Sequence, residues 1–341
     1  MVTGSGVRGR RRDGNRGRRR AQMILLGAIT LAVIIVGTTV LVNSLTVTRT
    51  DVPSQASPQI DEAGTFGFEA RKGSRSIVLR LNHRNRGVTP AELGALVGRN
   101  LTNYGQLLAE TYVDSHGEFV GLTYHNDSSA FGRRIVQIAD GNVTTWATST
   151  HGGGNGNWYI GEYGTWRRIG WFTVNVNVEN TSEARTFIEI ENRTGHTVNV
   201  SINRTSTGSG SKLRVHSDVS SGGDVTATCE PSNGRVLLDL VDGTAFVGGC
   251  QFNGTAAIDP PYTVYVQNGK ELVAKYELVY NESVPIATAA DVYTKCWDSS
   301  SHRTDPCTAP AVWVANVTAR FASSEINYTS RFNVSIYGGS S

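Results

Sequence analysis

The chain lacks the short signatures of common catalytic and nucleotide-binding chemistry. It contains no GxSxG elbow, no HExxH pair and no Walker loop, so nothing marks an activated serine, a helical zinc pair or a phosphate cradle with its lysine. The stretch His151–Trp158, HGGGNGNW, has the glycines of a phosphate loop without the Gly-Lys-Ser/Thr that touches phosphate and metal. It also has the HGGG of an esterase oxyanion loop without a nucleophile elbow after it, and an exposed glycine loop is the simpler reading. The seven histidines are dispersed, with no second ligand at helical or strand spacing. His125-Asn126-Asp127 reads as a solvated turn. Lysine is scarce, 5 against 27 arginines, and charged residues make up only 18% of the chain.

A second absence is local. No charged residue lies between Ala21 and Leu45, whose centre reads MILLGAITLAVIIVGTTVLV. Twenty-five helical residues span about 38 Å, enough to cross a hydrocarbon core of about 30 Å. A cleaved secretory signal is the competing reading, but its apolar region is shorter, about 7–15 residues. Eight arginines (Arg8, Arg10, Arg11, Arg12, Arg16, Arg18, Arg19 and Arg20) precede the run, and the positive-inside rule puts residues 1–20 in the cytoplasm and the rest outside.

The formal charge of +3 is therefore misleading. Residues 1–22 hold eight Arg and one Asp, and removing them leaves 24 basic and 28 acidic residues. The main domain is weakly acidic and has no basic stripe, which argues against a nucleic-acid partner.

The body is rich in turn formers, with 38 Gly. Period-two alternation recurs at Thr173–Val178, Thr186–Glu191, Thr197–Ile202, Arg235–Val241, Tyr262–Gln267, Glu271–Tyr280, Val312–Phe321 and Ile326–Tyr337. Asn233-Gly234, Asp242-Gly243 and Asn268-Gly269 mark tight turns. Ser76–Leu81 also reads as a strand. One helix is expected, opening at Thr89-Pro90-Ala91-Glu92 with a capping box and carrying Leu93, Val97, Leu101, Tyr104, Leu108 and Tyr112 on one face.

The expected fold is an all-β or α+β ectodomain, β-sandwich-like with one amphipathic helix, on a single N-terminal transmembrane helix. Its parts are a basic tail (1–20), the membrane helix (21–48), a linker (49–70) opened by Pro53 and Pro58, and a β-rich domain (71–341). That domain is either continuous or split near 206–211 (STGSGS).

Two features place the domain outside the cell. Asn-x-Ser/Thr sequons occur at Asn100, Asn126, Asn142, Asn180, Asn192, Asn199, Asn203, Asn253, Asn281, Asn316, Asn327 and Asn333. They are candidate glycosylation sites, against the alternative that they are strand-edge patterns in a Thr-rich β protein. Four cysteines, Cys229, Cys250, Cys296 and Cys307, allow three disulfide pairings. The expected one joins neighbours, Cys229–Cys250 closing a hairpin and Cys296–Cys307 a surface loop. A zinc site is the alternative, but no CxxC knuckle or adjacent His supports it. No metal and no cofactor is expected.

For binding, the aromatic cluster Trp158, Tyr159, Tyr163, Trp166, Trp171 and Phe172 stands out, interleaved with Arg167 and Arg168. Such residues stack on sugars or partner proteins, but the alternation of the flanking strand favours a core role. Glu189 and Glu191 fall on one strand face, the usual exposed side of a sheet.

Arg20-Ala21-Gln22-Met23 before the apolar run resembles the class III signal of archaeal type IV pilin-like proteins. The likeness extends in layout to haloarchaeal pilin-like envelope proteins, through Leu41-Val-Asn-Ser-Leu, Cys250-Gln-Phe, Pro261–Gly269 and Lys275–Tyr280. It implies cleavage between Ala21 and Gln22 by a prepilin-type peptidase, and other pilin-like envelope proteins as partners. It brings no catalytic activity. The implied role is a non-catalytic, membrane-anchored surface protein with a structural or interaction function. A tethered carbohydrate- or protein-binding module is the alternative, and an extracellular hydrolase a remote one. The sequence departs from the family where Pro53 and Pro58 interrupt the stalk, and its ectodomain is less acidic than a halophilic surface.

Overall fold

Glycine-punctuated runs of alternating apolar residues, interleaved along the chain, build two predominantly antiparallel sheets, and two helices cover one of them. The computed structural model describes residues 58–143, 157–160, 166–207, 210–246, 249–281, 294–297, 306–324 and 326–337. The apolar run Ala21–Leu45, the Ala21–Gln22 junction, Tyr163 and residues 151–156 lie outside them. No helix among the described residues is long and apolar enough to cross a membrane.

Helices α1 (Pro58–Arg84) and α2 (Pro90–His116) come first. The α2 expectation holds in detail. Thr89 accepts from the Glu92 amide, the Glu92 carboxylate accepts from the Thr89 amide, and Gly117 closes the helix in a left-handed conformation at φ 71°. The same capping holds the Glu92 carboxyl below its ordinary pKa.

Helix α1 corrects two expectations. Residues 58–70 are helical rather than an extended linker, and Ser76–Leu81 is helix rather than strand. Ser76–Leu81, with the β-branched pair Ile77-Val78, looks like a strand when read over six residues. Over a longer span Ala63, Phe66, Ala70, Ser74, Val78 and Leu81 are all buried at spacings of three and four, one helical face. Pro58 is tolerated because it stands at the first position of the helix.

Fourteen strands follow among the described residues. The helix-backed sheet has the order β12-β13-β1-β11-β3-β8-β9, with β14 paired to β13. Its strands are β1 (Phe119–Asn142), β3 (Ile169–Asn177), β8 (Arg235–Asp239), β9 (Thr244–Ala245), β11 (Val273–Tyr280), β12 (Thr294–Lys295), β13 (Cys307–Ala322) and β14 (Asn327–Ser335). The outer sheet has the order β2-β10-β4-β5-β6-β7, from β2 (Trp158–Ile160), β4 (Thr186–Asn192), β5 (Thr197–Thr207), β6 (Gly210–Val219), β7 (Asp224–Cys229) and β10 (Tyr262–Gln267). Residues 206 and 211 face each other in the β5–β6 pair, so the chain on either side of that stretch belongs to one sheet and does not divide into two domains there.

Two cores result. Between the sheets lie Val174, Val176, Ile188, Ile190, Val200, Ile202, Leu238 and Val264. Between the helices and the other face of the helix-backed sheet lie Phe66, Leu93, Val97, Leu101, Val317, Phe321 and Phe332. Buried apolar surface contributes about 25 cal/mol per Å², so these two layers supply most of the folding drive. Strand β13 is covered on both faces and reads as nearly continuous burial, whereas the outer-sheet strands alternate. Gly105 on α2 has a packing reason. A Cβ there would sit 3.2 Å from that of Leu122 on β1.

Both disulfides pair nearest neighbours, Cys229–Cys250 and Cys296–Cys307. The first does not close a hairpin. Cys229 ends β7, the edge of the outer sheet, and Cys250 follows β9, the edge of the helix-backed sheet, so the bond staples one sheet to the other. A cross-link over 21 residues of sequence contributes about 3 kcal/mol through the entropy of the unfolded chain.

The helix layer is locked by a polar knot. Arg134 on β1 is 1% exposed. Its Nε donates to Glu277 Oε1 at 2.6 Å, and its other nitrogens donate to the carbonyls of Asn82 and His83 in the last turn of α1. A cation thus satisfies carbonyls that helix geometry leaves open. His83 Nδ1 lies 2.7 Å from Glu277 Oε1. The Asn82 side chain pairs with both backbone groups of Val312, at 2.9 Å each, and Tyr337 Oη lies 3.1 Å from Asn82 Nδ2. Burial pushes the Glu277 carboxyl upward, but the His83 hydrogen bond and the Arg134 charge outweigh it and hold the pKa below the ordinary value.

The depressed value of Glu277 sets the sign of its linkage. The stability it adds is complete above the unfolded pKa, about 4.3, and is lost as pH falls through the lower folded value. Thermal melts between pH 2 and pH 6 should show a steep acid loss in wild type and a shallower one in Glu277→Gln. Equal slopes would mean that Glu277 is not depressed.

Candidate functional site

The outer sheet turns one face to solvent, and its composition follows from strand alternation. On β10, Tyr262, Val264 and Val266 point into the sandwich, so Thr263, Tyr265 and Gln267 point out. On β4, Ile188 and Ile190 point in, and Phe187, Glu189 and Glu191 point out. Register then brings chosen side chains together. Tyr265 stands opposite Tyr159 on one side and Glu189 on the other, and Glu189 stands opposite Asn199. Thr263, Glu191 and Thr197 form the next row.

The Tyr159 and Tyr265 rings lie 4.5 Å apart at 34°, a tilted pair that places aromatic surface beside two carboxylates. Burial, with Glu191 nearby, raises the Glu189 carboxyl above its ordinary pKa. The arrangement offers aromatic surface, carboxylate acceptors and an amide on one sheet face. These are the groups that stack on and hydrogen-bond a hydroxyl-rich ring.

The other expected aromatics are dispersed. Trp171 points to the helix side, 4.8 Å from the His83 ring and 6.2 Å from Phe246, with Nε1 donating to Thr173 Oγ1 at 3.2 Å. Phe172 is buried between the sheets. Trp166 is half-buried beside Arg167, whose backbone pairs with Tyr262. Trp158 pairs along the backbone with Val266. Of the expected binding set, Tyr159 lies on the outer face, and its partner Tyr265 was missed. The signal for Tyr265 was present, an aromatic in the solvent phase of an otherwise alternating strand.

The His83–Glu277 pair has the spacing of an acid–base dyad, but Arg134 also holds that carboxylate and the group fastens α1. Among the described residues no cluster of three His, Cys, Asp or Glu could hold a metal.

The sequon asparagines fall into three classes. Asn126, Asn142, Asn180, Asn281, Asn327 and Asn333 are exposed; Asn100, Asn199, Asn203 and Asn253 are half-buried; Asn192 and Asn316 are buried. The last two have structural work. Asn192 Oδ1 accepts from the Thr194 amide and hydroxyl and from the His196 amide. Asn316 Nδ2 donates to Asn333 Oδ1, and its Oδ1 accepts from Arg331.

No family model, no curated protein and no solved structure matches this chain.

Proposed function

We propose that this is a non-catalytic, membrane-anchored, pilin-like protein of the archaeal cell envelope that acts by interaction, with the outer sheet as a carbohydrate-binding face. The anchor is the apolar run Ala21–Leu45, and the arginine flank orients it with the body outside. Two disulfides and the exposed sequon asparagines suit that side of the membrane.

The observation that carries the binding role is the Tyr159–Tyr265 pair beside Glu189. The pair sits on the face turned away from the sandwich core, with two carboxylates on the neighbouring strand β4. The sheet beneath is rigid, with a full core under every outward residue of β4 and β10.

Two measurements test the parts separately. Titrating the full-length protein with neutral oligosaccharides should give saturable binding, weakened about tenfold or more in Tyr265→Ala, the cost of losing one stacking ring. Binding that survives that substitution, or no binding at all, sinks the carbohydrate reading. N-terminal sequencing of the mature protein should start at Gln22 if prepilin-type processing occurs. An intact Met1 or Val2 would leave an ordinary anchored protein, and a start beyond Leu45 would remove the anchor.

A further inference from the structure

Along the first half of α1, an apolar groove runs between that helix and strands β13 and β14. It encloses about 520 Å³, within the range of small-molecule sites, about 300–1,000 Å³. Its rim carries Ile60, Phe68 and Tyr328, which are 55%, 66% and 44% exposed. Large apolar side chains at that exposure lose hydration free energy unless something covers them. Its floor on α1 is made by Gly64 and Gly67, where a Cβ would meet nothing within 4 Å. Glycine in a helix interior costs about 1 kcal/mol relative to alanine, and no neighbouring atom requires it at either position. The groove holds one charged residue, Arg71, whose guanidinium lies 4.6 Å from the centre of the Phe332 ring.

We infer that this groove takes the hydrocarbon chain of an anionic membrane lipid, with the headgroup held by Arg71. An apolar groove with a single cation in its lining matches a ligand that is mostly apolar and negative at one end. Tyr and Arg are the side chains that bury an apolar body while keeping a polar tip in the interfacial region. Chain length supplies the second argument. The groove opens at Ile60, and residues 46–57, twelve in all, separate Leu45 from Pro58. Fully extended, they reach about 40 Å, so a bilayer crossed by Ala21–Leu45 is always within range. This inference rests on the membrane-anchored reading.

The test uses the full-length protein in phosphatidylcholine vesicles containing phosphatidylglycerol with a photoactivatable acyl chain. After irradiation and digestion, label should appear on residues 60–71 and 326–332 as well as on 21–45. Filling the floor with Gly64→Leu/Gly67→Leu should cut label on 60–71 about tenfold, leave label on 21–45 unchanged and preserve the far-UV spectrum. Arg71→Gln should reduce labelling by the phosphatidylglycerol probe more than by a phosphatidylcholine probe. Label on 21–45 without label on 60–71 overturns the groove and leaves the anchor standing. A protein that stays off the vesicles overturns both. Undiminished label in the filled variant, or cross-links from the groove to a second copy in place of lipid, overturns the lipid occupant.

Discussion

Arg134 sits where a helix end, a central strand and an acidic neighbour meet, and it holds them with one guanidinium. Burying a cation is costly unless it is paired and its donors are satisfied. Here Glu277 supplies the charge and the last carbonyls of α1 supply acceptors. Removing one partner of such a group typically costs about 3–5 kcal/mol, because the other charge is left buried and alone. Asn82 extends the same lock. β12 pairs with β13 at Cys307 and Thr308, and β14 pairs from Val314 onward. Val312 lies between them, and the Asn82 amide takes the place of a strand there. The helix layer is therefore tied to the sheet by directional bonds as well as by apolar contact.

That layering separates the faces of the molecule. The helix-backed sheet is covered on both sides and serves as the rigid centre. The outer sheet has only one face to bury, so the other is free to carry Tyr159, Tyr265, Glu189 and Glu191 in fixed register. The apolar groove lined by Ile60, Phe68 and Arg71 lies along the first half of α1. In the account proposed here, one surface meets the membrane and a different one meets the ligand, with the sandwich core between them.

Much of the β architecture was legible from alternation. Tyr262–Gln267 matches its strand end to end, and the Asn-Gly pairs sit at turns with Asn233 and Asn268 at positive φ. The α2 capping box was readable because its signal is local. Helix α1 was hidden, since Ser76-Ile77-Val78 favours a strand within a short window and the helical face emerges only over some twenty residues. The disulfide pairing was anticipated, but its role as a staple between sheets depends on strand order, which no local pattern encodes. Arg134 and Glu277 were invisible for the same reason. They lie 143 residues apart in sequence, and only register places them on one face. The two tyrosines fall between these cases, with the outward phase of Tyr265 readable and its pairing with Tyr159 not.

Native-state hydrogen exchange on Asn82→Leu tests most directly whether the knot fastens the helices to the sheet. The account predicts that the Val312 amide and the amides of α1 exchange faster together, by about a hundredfold for a loss near 2.7 kcal/mol, while Val200 and Val264 in the sandwich keep their protection. Faster exchange at Val312 alone, with α1 unchanged, would contradict it.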